Sequence, residues 1–274
     1  MNRIRRYAAT ALLMIFLCSM GAEFLAPAHY AFQFRNEPNA TPSSAHLLGT
    51  DALGRDRLSR VIYGARVSLL LAPAAALVSS MAALMIGGAA GLAGGIWQRM
   101  TVAGLDLMLS LPWLFLLITV RAMLPLNLPP GRSAVVTFAL LGLLGWAGCA
   151  RIVYTGTRSI LASGFVLQAR AWGMGNFRLL FTQILPNLAP AILAQFWVSI
   201  PVFILAEANL GILGLGVSEP LPSWGNLLRE LQDITMFHAE PWVHTEPWKL
   251  APLLLLFTVV AAFQTLLSSE EAAK

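Results

Sequence analysis

"ARAWGMGNFRLLFTQILPN", residues 169–187, is polar sequence set between two long apolar runs, approximately 133–153 before it and 188–212 after it. It holds two arginines, a Gly-x-Gly break and a Pro-Asn pair. A bilayer core takes about 20 apolar residues per helix. The flanking runs have that length, so the stretch reads as a loop joining two membrane spans. The same test, carried outward, finds further runs at approximately 8–25, 66–96, 104–124 and 249–267. The expected fold is an all-α polytopic membrane protein with six transmembrane helices. The second run is long for one crossing and is expected to tilt or to extend beyond the membrane.

Composition agrees with that reading. The 274 residues are 57% hydrophobic and 11% charged, with a mean hydropathy of +0.70. A soluble domain carries about 25% charged residues, and one of this size needs a charged skin. The net charge of +5 is dispersed, with no block of like charges, which argues against a nucleic-acid-binding tail. Cys18 and Cys149 both fall inside apolar runs and read as small packing residues.

Arg3, Arg5 and Arg6 precede the first run, which ends in Ala26-Pro27-Ala28 and imitates a cleavable secretory signal. With further spans to orient, an uncleaved anchor is the expectation. The positive charge of the two sides is nearly balanced, and these three arginines decide for cytoplasmic N- and C-termini. The segment 154–187 is then cytoplasmic, while 26–65 and 213–248 lie outside. In the latter, Ser223 is placed to cap a short helix running to Leu231, lying on the outer surface. Trp224, Trp242 and Trp248 suit the headgroup level.

Within the opening stretch, Leu167–Trp172 favours a short helix and Gly173-Met174-Gly175 interrupts it. Asn176 is a reasonable N-cap for a second helix that stops before Pro186. Phe177, Leu180, Phe181 and Ile184 recur at helical spacing along it and form an apolar stripe. Such a helix either lies on the membrane surface or docks a soluble partner. Elsewhere, Gly87, Gly91 and Gly95 form a doubled G-x-x-x-G read as helix packing. Glu207 sits deep in the fifth run, where a carboxylate needs a partner or a wet cavity. Asp106 and Arg121 lie near opposite ends of the third run and are expected to snorkel to water.

No catalytic arrangement is present in the sequence. A phosphate-binding loop needs a Gly-rich turn followed by Lys and Ser or Thr, and the only lysines, Lys249 and Lys274, lack that context. Any ATP used is therefore hydrolysed by a separate subunit. His238, Glu240, His244 and Glu246 lie close together, but six-residue spacing around a proline fixes no ligand geometry. They read as a solvated loop, with no metal and no cofactor expected.

The loop at 167–187 resembles the "EAA" loop of the inner-membrane permeases of binding-protein-dependent ABC importers. That pattern runs approximately E-A-A-x-x-x-G, then about nine residues, then I-L-P. Here Ala169, Gly173 and Ile184-Leu185-Pro186-Asn187 match it, while Leu167 replaces the Glu and Gln168 the first Ala. "LLGTDALGRDRLSRVIYGARVSL", residues 47–69, and "ILAEANLGILGLGVSEPLPSWGNLL", residues 204–228, resemble the second (C-type) permease of the dipeptide/oligopeptide/nickel class. The resemblance divides the chain into residues 1–46, with the first anchor, and a permease core over 47–274.

That resemblance implies an ABC importer permease bundle whose cytoplasmic loop is a coupling helix seated on an ATPase. Ala169, Arg170, Gly173, Phe177, Leu180, Phe181, Pro186 and Asn187 would form the coupling element, and Glu207 would line the path or lock helices. It further implies a bacterial inner-membrane location, a heterodimer with a partner permease, two ATPase subunits and an extracytoplasmic binding protein. The cargo would be peptides or a related small solute, nickel among them. The competing reading is a self-contained secondary transporter or channel, which favours an internal repeat and paired intramembrane charges. An intramembrane enzyme lacks a catalytic set.

Overall fold

The computed structural model describes residues 3–232 and 247–271. The described residues are helical apart from loops and one isolated bridge between Thr50 and Asp56. The helices are α1 (Arg3–Met20), α2 (Ala22–Leu25), α3 (Arg57–Leu92), α4 (Gly95–Ser110), α5 (Trp113–Met123), α6 (Pro130–Leu144) and α7 (Ala147–Leu161). They are followed by α8 (Gly164–Ala171), α9 (Asn176–Leu179), α10 (Leu185–Ile212), α11 (Trp224–Arg229) and α12 (Ala251–Glu271).

Among the described residues, four stretches are long and apolar enough to cross a membrane: Arg57–Leu92, Pro130–Leu161, Asn176–Ile212 and Pro247–Ser268. The bent pair α4 and α5 makes a fifth if it is one span. The third expected run is therefore not a straight helix: it bends by 89° between Ser110 and Trp113. The cause is local. Leu111 precedes Pro112 and is extended, with φ −81° and ψ 134°, because the proline ring excludes the α region from the residue before it. Pro73, Pro190 and Pro201 leave their helices unbroken. The fourth run continues as helix to Leu161, eight residues past its expected end, so the connecting loop begins at Ala162.

The chain forms two compact units. One comprises residues 1–72, 121–138 and 201–274, the other 73–120 and 139–200. In the first, α1 packs along α12, and the Arg5 guanidinium donates to the Leu266 carbonyl at 3.2 Å. The lead-in segment 26–56 folds back through backbone bonds such as Phe34 N–H to Gly54 O at 2.8 Å and Asn39 N–H to Asp51 O at 2.9 Å.

The second unit has an apolar core of Ala83, Leu105, Ala150, Val153, Leu179 and Ile184, among others. Here α3 meets α7 at its glycines. A Cβ on Gly87 would lie 2.3 Å from the Ala150 carbonyl oxygen, and one on Gly91 2.6 Å from Thr157 Cβ. Small residues let the two backbones approach. Gly95 is no part of that seam: it has φ +64°, opens α4 and would put a Cβ against nothing within 4 Å.

Gly87 and its neighbour Gly88 therefore differ sharply, since a Cβ at Gly88 meets nothing within 4 Å. Gly87→Ala is expected to destabilise the fold by about 1–3 kcal/mol, as overpacking does. Gly88→Ala is expected to stay within about 1 kcal/mol of the parent or gain slightly from helix propensity. Thermal unfolding of the detergent-solubilised protein, followed by tryptophan fluorescence, separates the two. Equal melting temperatures would show that the α3–α7 seam is looser than this.

Candidate functional site

The quoted loop turns on Gly173. Helix α8 ends in a Schellman arrangement: the Gly173 N–H bonds Arg170 O at 2.9 Å and the Met174 N–H bonds Ala169 O at 3.1 Å. That closure needs a left-handed residue, and Gly173 has φ +81°. Met174 and Ala169, the pair whose contact accompanies such a cap, both pack on the apolar core of the second unit. Gly175, not Asn176, is the residue before α9, and it makes no side-chain cap.

The second helix does not stop before Pro186. A π-turn over Leu180–Ile184 carries α9 into α10, with the Leu185 N–H bonded to Leu180 O. Proline has no N–H to continue the ladder, and the wide turn takes up the irregularity at that point. Asn187, on the exposed side beyond it, donates from Nδ2 to Gln183 O at 2.6 Å.

The expected apolar stripe divides into an inner and an outer set. Ile184 is buried, as are Leu179 and Val166, so these three root the loop in the core. Leu180 is half-buried, while Phe177 is 77% and Phe181 51% exposed. Their rings stand 4.8 Å apart. Trp172 is 83% exposed, and Leu167 and Phe165 are also exposed. Arg170 and Pro186 are exposed, and Ala169 is half-buried. The loop thus presents aromatic surface from a firmly anchored base. It can dock apolar surface; it has no group suited to bond-making chemistry.

Glu207 lies near the end of α10 and is fully buried. Its Oε1 accepts from Ser223 Oγ at 2.6 Å. Ser223 is the N-cap of α11, and its hydroxyl also accepts from Asn226 N–H while Asn226 Oδ1 accepts from Ser223 N–H. The capping box is therefore wired directly to the buried carboxylate. Glycines make the fit possible: a Cβ on Gly225 would stand 2.8 Å from Glu207 Oε1, and one on Gly211 2.3 Å from Gly225 C. Glu207 Oε2 and Ser68 Oγ are buried without a hydrogen-bond partner. Helix α11 is shorter than expected, passing into a 3₁₀ turn at Glu230. It is not a surface helix either. Trp224, Leu227 and Leu228 are buried, because the Ser223–Glu207 bond draws its first turn inward.

The sequence reading passed over a third feature. Around the start of α3, Arg60 is fully buried and donates to Asp51 Oδ2 at 2.6 Å, to Glu219 Oε1 at 2.8 Å and to Glu230. Arg55 bonds Asp51 and Glu219, each at 2.6 Å, and Arg57 bonds Glu230 at 3.2 Å. Beside it, His46 is buried between Asp56 at 2.9 Å and Glu37 at 3.2 Å. The signal was present as the dense "TDALGRDRLSR", but the partners Glu219 and Glu230 lie more than 150 positions away.

Burial pushes the Asp51 carboxyl up. Hydrogen bonds from the Arg55 amide and guanidinium, with the charges of Arg60 and Arg55, outweigh that and hold it below the ordinary value of 3.8. Burial likewise works to lower Arg55, but Glu219 and Asp51 hold its guanidinium above its usual range.

One charge behaves otherwise than expected. Arg121 does not snorkel: it is 1% exposed. Asp106 is exposed and pairs with Arg151 at 2.9 Å. His238, Glu240, Trp242, His244, Glu246 and Lys274 lie outside the described residues. Among the described residues no group of three or more His, Cys, Asp or Glu is placed to hold a metal ion.

A carboxyl held below its unfolded value stabilises the fold above that value and loses its contribution as pH falls through the folded one. Amide hydrogen exchange over residues 50–60, corrected for intrinsic rates, is therefore expected to stay slow from neutral pH down to the ordinary carboxyl value of 3.8 and to accelerate only below it. Asp51→Asn should exchange fast already at neutral pH and lack most of the acid step. Unchanged protection in that variant would remove Asp51 from the network's support.

Residues 65–269 match the family model described as "Binding-protein-dependent transport system inner membrane component". The dipeptide transport system permease protein DppC of Bacillus subtilis is 34% identical over 224 residues, covering 82% of this chain and 68% of the relative. The di/tripeptide transport system permease protein DppC of Pseudomonas aeruginosa is 33% identical, with 81% and 73% covered. The glutathione transport system permease protein GsiD of Pectobacterium atrosepticum is 30% identical over 275 residues, covering 97% of this chain and 83% of its own length.

Proposed function

The chain belongs to the family of binding-protein-dependent transport system inner membrane components, and we propose that it is the C-type permease half of an ATP-driven importer of short peptides. As a member of that family it is a multi-pass inner-membrane permease subunit of an ABC importer, a transport subunit and not an enzyme. ATPase and binding-protein partners follow from that membership. The self-contained transporter weighed from the sequence is thereby set aside. The finer reading is a heterodimer with a similar permease, two cytoplasmic ATPases and a peptide-loaded receptor outside. It has six spans, with α1 as the first, and cytoplasmic termini. Peptide cargo is supported by relatives named for dipeptide, di/tripeptide and glutathione transport; nickel has no such support.

One observation carries the coupling role. Phe177 and Phe181 stand exposed on a short helix that Gly173 turns outward, while Leu179 and Ile184 fix its other side in the core. An aromatic pair on a rooted base suits a groove in a soluble partner, because aromatic anchors supply most contact area per ordered side chain. Leu167, 55% exposed where the family has Glu, adds apolar contact in place of a brace. From this knob the chain enters α10 without a break, and α10 ends at the Glu207–Ser223 bond. A displacement of the loop by an ATPase would thus act on one end of a helix whose other end is tied to α11. That division gives Glu207 a locking role.

Phe181→Asp would place an unpaired carboxylate in the docked contact, at a cost of several kcal/mol. Gly173→Val would put a β-branched residue at positive φ, costing about 1–3 kcal/mol. Both variants should insert in the membrane and lose co-purification with the ATPases, or lose receptor-stimulated ATP turnover in reconstituted vesicles. Normal assembly and turnover in both would leave the loop an ordinary surface helix.

A further inference from the structure

Among the described residues, the charges of the first unit do not all find partners. Arg55, Arg57 and Arg60 are matched by Asp51, Glu219 and Glu230, three guanidiniums against three carboxylates. Next to this balanced network lies a cavity of about 350 Å³. Its lining includes Arg55, Glu219 and Glu230 from the network, and also Arg121, Ser218 and Arg229.

Arg121 and Arg229 have no carboxylate among the described residues. Arg121 is 1% exposed, yet its Nη contacts are long ones to neutral acceptors: Ser133 Oγ at 3.3 Å, Pro125 O at 3.4 Å and Gly216 O at 3.5 Å. Its Nε has no acceptor. Charge-assisted bonds from a guanidinium run to about 2.7–2.9 Å, so these contacts leave a buried cation poorly satisfied beside an open volume. Arg229, exposed on the last turn of α11, reaches the same cavity with its guanidinium against Gly214.

We propose that this cavity binds the carboxylate end of a zwitterionic solute of dipeptide size, with Arg121 as the buried anion-binding residue and Arg229 as its outer partner. The assignment rests on the permease reading and extends it by naming the group recognised. Its polarity argues for a monoanion: Glu219 and Glu230 on the same lining repel a phosphate-like dianion, while Glu219, 46% exposed, leaves room for an ammonium group. The volume lies in the range of about 300–1,000 Å³ typical of small-molecule sites. A fork of two N–H donors suits a carboxylate, and closing on one would give Arg121 the counter-charge that its own fold withholds.

The test uses the complete importer in detergent, without its receptor, and equilibrium dialysis of radiolabelled dialanine. Arg121→Gln should weaken binding about tenfold or more, the size of one lost charged hydrogen bond. Arg121→Lys should retain part of it, and Arg229→Gln, at an exposed position, should weaken it severalfold. Propionate should displace dialanine and propionamide should not. Binding unchanged in Arg121→Gln and Arg229→Gln, or displaced equally by both competitors, would overturn the assignment. If labelled propionate binds through Arg121 and dialanine does not, the carboxylate site stands and the peptide reading falls. If neither probe binds, the site is overturned, while uptake of dialanine by receptor-supplied vesicles still judges the peptide reading on its own.

Discussion

A guanidinium with no access to water is held best by counter-charges of its own, and Arg60 has three. It draws together Asp51 from the lead-in segment, Glu219 from the loop after α10 and Glu230 from the end of α11. Three stretches far apart in sequence are thereby held at one point on α3. Asp51 and Arg60 are almost completely buried, and taking one member from such a pair leaves an uncompensated charge that costs about 3–5 kcal/mol. Arg55 and Arg57 share the same carboxylates, so ordering each further side chain costs less entropy than the first.

The inner part of the same unit is held on a different principle. Among the described residues Glu207 pairs with no cation; its Oε1 is held by the Ser223 hydroxyl, with the Gly225 backbone close against it. Because Ser223 is at once the cap of α11 and the donor to Glu207, the helix start and the carboxylate position each other. Hydrogen bonding to a neutral hydroxyl is worth less than an ion pair, but it needs no second buried charge.

Much of this was legible in the sequence wherever the cause is local. Apolar runs gave the helices, Ser223 gave a cap, and the Gly173 break gave the turn. Some departures are local in cause but differ from one proline to the next. Pro112 bends its helix and Pro186 does not, because a π-turn precedes the second. Gly95 continues a four-residue repeat on paper, yet the helix has ended by then. Others come from partners that local patterns do not contain. Arg121 was expected to reach water, but Ser133 and Gly216 close over it from other elements. Trp224 was placed at a membrane surface because amphipathicity cannot register the pull of Glu207 on its helix. The ion network has no local signature, because Glu230 and Glu219 lie 173 and 159 positions from Arg57 and Arg60.

The central claim is that the loop at 162–187 is where a separate ATPase takes hold of this subunit. The most direct test places a photo-crosslinking amino acid at Phe181 in the assembled importer in native membranes. The account predicts a crosslink to an ATPase subunit, which would also put this end of the molecule in the cytoplasm. It further predicts that the yield changes when ATP hydrolysis is arrested with vanadate. Crosslinks confined to lipid or to the receptor, with none to an ATPase in any nucleotide state, would contradict it.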